Sequence, residues 1–141
     1  MPDLSRPGRV AAGILLLTIL TIESGGAYVL NLTLGNLPAT EFQTTFARAG
    51  HGHAGVLVIL GLLAILLTDA AGLKGLAGHL NRWTIPVAAI LMPAGYFFSS
   101  MGQGVTEPNS FLVLVYLGAA VQAVGLAMLG VALIRSAVRR H

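Results

Sequence analysis

Two histidines and an arginine stand together in Arg48-Ala49-Gly50-His51-Gly52-His53-Ala54-Gly55, and one acid, Glu23, stands alone inside an apolar run. Imidazole ligates zinc, copper and haem iron. A nearby carboxylate either orients such an imidazole or exchanges a proton with it. His51 and His53 are therefore the candidate cofactor and metal ligands, with Glu23 as a third candidate metal ligand. Positions i and i+2 lie about 200° apart around an α-helix, so a regular helix points His51 and His53 to nearly opposite faces. Arg48 and His51, at i and i+3, share a face. Two arrangements stay open. One histidine faces a bundle core and the other a neighbouring subunit, or the glycines unwind this turn and bring both rings together.

The elements that must carry these groups follow from composition. Of 141 residues, 55% are apolar and 9% charged, against roughly 25% charged in soluble domains. Mean hydropathy is +0.82. So few charges do not cover a water-facing surface, whereas lipid requires none. There is no cysteine, which excludes disulfides and thiolate metal sites. A pI of about 10.0 raises nucleic acid as a partner, but no basic stripe with interleaved aromatics supports it.

Four apolar stretches, about 10–32, 49–68, 83–101 and 110–134, are each near the ~20 residues that a helix needs to cross a bilayer. Backbone groups in lipid must pair within their own segment, so the stretches read as transmembrane helices. No alternating strands suggest a barrel. The connections are short and carry Gly, Pro and Asn. The expected fold is one all-α domain, an up-down bundle of four transmembrane helices. Lysine and arginine place both ends inside: Arg6, Arg9, Lys74, Arg82, Arg135, Arg139 and Arg140 lie on one side and only Arg48 on the other. The expected location is the cytoplasmic (inner) membrane, multi-pass. Arg6 and Arg9 before Val10–Ile22 and Gly25-Gly26-Ala27 resemble a cleavable signal peptide. The apolar pattern resumes at Tyr28, which favours a retained helix.

Within this frame Glu23 and His51 come to similar depth, since helix one runs outward and helix two inward. A paired Glu23–His51 site is one expectation, and a structural hydrogen-bonded knot is another. Tyr96 and Gln122 complete the candidate polar site with Arg48, each also suited to plain interhelical bonding. Pro86 and Pro93 free carbonyls in helix three, and His79 falls in the loop before it. Gly118 and Gly125 give helix four faces for close contact. Gly50 to Gly55 matches Gly-x-Gly-x-x-Gly, but no strand precedes it, so a dinucleotide loop is excluded. No nucleophile and base stand together, which leaves enzymatic activity without a sequence signal.

The Arg48-Ala-Gly-His51-Gly-His53-Ala-Gly run resembles the Arg-Ala-Gly-His-x-His-Ala-Gly motif of a family of small four-helix integral membrane proteins from actinobacteria, whose function is unassigned. Met92-Pro93-Ala94-Gly95-Tyr96-Phe97 and Glu107-Pro108-Asn109 resemble the same family. More distantly, a His-x-His followed by an apolar glycine-containing helix is similar to one four-helix unit of haem–copper oxidase subunit I. That likeness implies a homo-oligomer, a trimer by analogy or else a dimer, with a haem or transition-metal (copper or zinc) site at His51 and His53. It does not extend to oxygen reduction, for which the further histidines are missing. The expected function is thus a histidine-centred haem or metal site near the outer leaflet. The alternatives are a proton-linked channel or transporter using Glu23 and a non-catalytic subunit of a larger membrane complex.

Overall fold

A computed structural model describes residues 4–138. Arg139 and Arg140, part of the charge argument above, lie outside them. The chain forms α1 (Arg6–Thr33), α2 (Glu41–Ala70), α3 (Gly75–Ser99), a single 3-10 turn (Ser110–Leu112) and α4 (Val113–Val138). No strand occurs among the described residues.

Local chemistry sets the helix starts. Ser5 caps α1, its Oγ accepting the Gly8 N–H at 3.1 Å. Thr40-Glu41-Phe42-Gln43 is a capping box. The Gln43 N–H donates to Thr40 Oγ1 and the Thr40 N–H donates to Gln43 Oε1, each at 3.1 Å. That box starts α2 at Glu41 rather than at Ala49, where the apolar run begins, because a cap satisfies the first amides whatever the hydropathy of the first turns. Arg48 is consequently helical, not the end of a loop. Helix α3 likewise starts at Gly75 rather than Trp83, which puts His79 in its first turns, against Trp83. The turn before it uses left-handed Gly72 and Gly75 (φ 67° and 61°), a conformation that favours glycine.

Sequence neighbours run antiparallel. Arg48 Nη2 donates to Thr33 Oγ1 at 3.2 Å, tying the start of α2 to the end of α1. At the opposite end the Ser5 N–H donates to Asp69 Oδ2 at 2.9 Å. Helix α2 packs on α1 and α3, and α3 packs on α4, but α1 and α4 do not pack on each other. The helices therefore form an open series rather than a closed ring. Ala11, Leu15, Leu57, Val58, Ile65, Ala89, Met92 and Val115 form its main core. Small residues permit the close approaches. A Cβ at Gly118 would sit 3.0 Å from that of Met92, and one at Gly125 2.9 Å from that of Thr84. The glycine faces of α4 thus serve packing within the chain.

The outer surface is apolar: Leu17 and Leu20 are 68% exposed and Ile59 70%. Three segments, Arg6–Thr33, Glu41–Ala70 and Ser110–Val138, are long and apolar enough to cross a membrane.

Candidate ligand cleft between α1 and α3

Because α1 leans on α2 and barely touches α3, a cleft of about 460 Å³ opens between α1 and α3. Its walls are mostly apolar, among them Ile22, Ile90, Phe97 and Phe98. Thr18, Thr21, Ser24, Tyr28 and His51 supply the polar side chains. Much of that polarity is already used. Thr18 and Thr21 donate to the carbonyls of Leu15 and Thr18, each at 2.6 Å, and Ser24 donates to Leu20 at 3.2 Å. Pro93 has no N–H to offer the carbonyl of Ala89, four residues back, and both residues line the cleft.

His51 is the exception. The ring is half-buried and its Nδ1 is buried with no hydrogen-bond partner. It lies against a small-residue face of α1. A Cβ at Gly26 would sit 3.0 Å from His51 Cε1 and 3.4 Å from Nε2, and one at Gly25 4.0 Å from Nδ1. Gly25 and Gly26, interior to α1, are what let the imidazole reach this wall. Leaving a buried polar atom unpaired costs about 1–3 kcal/mol, so an occupant that hydrogen-bonds or ligates this ring has a ready gain.

His53 has the opposite setting. It is exposed, its ring stacks on Tyr96 with centroids 5.1 Å apart, and its Nδ1 lies 2.7 Å from the carbonyl of Ala49. A carbonyl only accepts, so Nδ1 donates in that bond. The regular helix keeps the two rings apart, one against α1 and one against Tyr96 of α3. The unwound turn that would join them is absent, as α2 is continuous from Glu41 to Ala70.

Glu23 does not meet His51. Gly25 and Gly26 make the contact with the imidazole, and Glu23, one turn before Gly26, does not bond its Nδ1. It is exposed in line with Leu16 and Leu20, and it makes no ion pair among the described residues. No group of three or more His, Asp or Glu side chains able to hold a metal ion occurs among the described residues. Arg48 is exposed and engaged with Thr33. Tyr96 belongs to the His53 side, and half-buried Gln122 on α4 is not part of the cleft.

Sequence reasoning missed three polar anchors. Gln43, 8% exposed, donates through Nε2 to the carbonyls of Ser100 and Gly102 at 3.0 and 2.8 Å, fastening the α3–α4 connection to α2. Asp69 and Arg82 form an ion pair whose side chains are 5% and 9% exposed. The third is Asn81, 2% exposed, whose Nδ2 donates to Ala77 at 2.8 Å while its Oδ1 is unpartnered. The Thr40-x-x-Gln43 box was the available signal for the first.

Comparison with known protein families, with curated proteins and with solved structures finds no match to this chain.

Proposed function

We propose that this chain is an integral membrane protein that holds a lipid-soluble ligand in the α1–α3 cleft, with His51 as the polar anchor. The observation that carries the reading is the unpartnered, buried Nδ1 of His51 beside an apolar cleft. Haem is the ligand toward which the family likeness points, and the donor set is compatible with it. His51 would ligate it, the apolar walls would suit its ring, and Arg48 would be the cation at that end of the bundle for an anionic tail. When bound, haem would supply redox chemistry, while the chain would position it through His51 and exclude water. A bare zinc or copper ion fits less well, because one chain offers a single imidazole there.

In this reading α3 also spans the bilayer. Its 25 residues measure about 37 Å at the helical rise, and its outward residues include Val87, Ile90 and Phe98. The polar Asn81 and Arg82 are turned inward. Both termini then lie inside, in the cytoplasmic membrane. The working form is a homo-oligomer, dimer or trimer, because Glu23 on the bare face of α1 and the free Nε2 of His53 both point away from the chain's own core. A larger membrane complex is the competing cover for those faces. A proton-linked channel at Glu23 has less support, since Glu23 makes no ion pair among the described residues.

Absorption spectra of the detergent-purified protein, oxidised and dithionite-reduced after expression with ample haem, test the haem form. The expected result is a Soret band that His51→Ala removes and His53→Ala retains. A featureless spectrum removes haem, and loss of the band only with His53→Ala moves the site to the other face of α2.

A further inference from the structure

A second cavity, about 820 Å³, lies at the opposite end of the bundle between the α2–α3 turn and the last turns of α4. Lys74 and Arg135, both exposed, stand at it with Ser136, and Ala77, Val131 and Ala132 give it apolar sides. Asn81 lines it too, almost wholly buried, with Oδ1 lacking any donor. Lys74 occupies the N-cap of α3 without a side-chain cap bond, so the positive end of that helix adds to the two cations.

The turn is fixed in place rather than merely near. Arg82 pairs with Asp69 and its Nη2 donates to the carbonyl of Leu73 at 3.0 Å. A Cβ at Gly78 would come within 2.7 Å of Leu73 C, so glycine lets the turn fold down on α3. The turn thereby keeps Lys74 in the same cavity lining as Arg135.

We infer that this groove binds the headgroup of an anionic phospholipid that carries a hydroxyl. Lys74 and Arg135 hold the phosphate, Asn81 Oδ1 accepts the hydroxyl, and the alanine and valine sides receive the start of an acyl chain. Two cations at a bilayer surface select anionic over zwitterionic lipid. The unpaired acceptor selects a headgroup able to donate, such as glycerol. The inference rests on the chain being embedded in a membrane, but not on any ligand at His51.

Native mass spectrometry of the detergent-solubilised protein, titrated with phosphatidylglycerol, phosphatidylmethanol, phosphatidylcholine or glycerol phosphate, tests it. Phosphatidylglycerol is expected to bind tightest. Lys74→Ala and Arg135→Ala should each weaken it about fivefold and the double variant roughly 25-fold. Asn81→Ala should erase the preference for phosphatidylglycerol over phosphatidylmethanol, while His51→Ala should leave all lipid binding unchanged. Equal binding of phosphatidylcholine, unchanged binding by the double variant, or glycerol phosphate binding as tightly as the lipid would each overturn the inference. The last would make the ligand a free phosphate ester. The two surface variants keep the test decisive if Asn81→Ala does not fold.

Discussion

The two cavities are built on opposite principles. The cleft at His51 is apolar, bounded by a helix that packs mainly on one neighbour, and its polar anchor is a ring nitrogen that nothing among the described residues satisfies. The groove at Asn81 is bordered by cations, and the turn beside it is tied to Arg82, which pairs with Asp69. Each contains one of the two buried side-chain polar atoms without a partner among the described residues. The difference is instructive. Near Asp69 the chain spends its polar groups on one another, which makes a rigid end. At His51, as at Asn81, one group is left unpaired, but here it stands among apolar walls with no cation in the cleft lining.

The comparison breaks most sharply at Asp69. Asp69→Ala strands a buried arginine and should cost about 3–5 kcal/mol, read as a large fall in the thermal midpoint in detergent. If the midpoint barely moves, the inner end is not the rigid one. Next, Gly118→Leu should destabilise by about 1–3 kcal/mol through overpacking of α3 against α4, whereas Gly13→Leu, with open space at its Cβ, should not. Equal effects on the midpoint would contradict the close approach. Third, His51→Phe should leave the ligand-free protein no less stable, or raise its stability by up to about 1–3 kcal/mol, because an unpaired polar atom is removed. A clear loss on denaturant titration would mean that His51 is satisfied and structural. The smallest effect belongs to Arg48→Ala. It breaks one exposed hydrogen bond and should change stability by within about 0.5 kcal/mol.

The helices were readable in the sequence and the two cavities were not, for definite reasons. Apolar runs located the four helices, and three of those helices are long and apolar enough to cross a membrane. The i, i+2 spacing pointed His51 and His53 to different faces of a regular helix but left an unwound turn open, and α2 is continuous there. The Glu23–His51 pairing expected from depth does not form: Glu23 is exposed on α1, and Gly25 and Gly26 take the contact with the imidazole. Helix starts at Glu41 and Gly75 were invisible to hydropathy, since caps and turn glycines set them. The Asp69–Arg82 pair and the Asn81 groove arise from how three chain segments meet, and no local pattern carries that. The cleft itself follows from a negative feature, the weak contact of α1 with α3, that periodicity does not encode.

The most direct test of a ligand held on His51 is native mass spectrometry of the protein released gently from its own membrane, beside His51→Phe and His53→Phe. The account predicts an added mass of a lipid-soluble molecule on the parent chain and on His53→Phe, and its loss from His51→Phe. An unliganded parent chain, or an added mass that persists in His51→Phe, would contradict it.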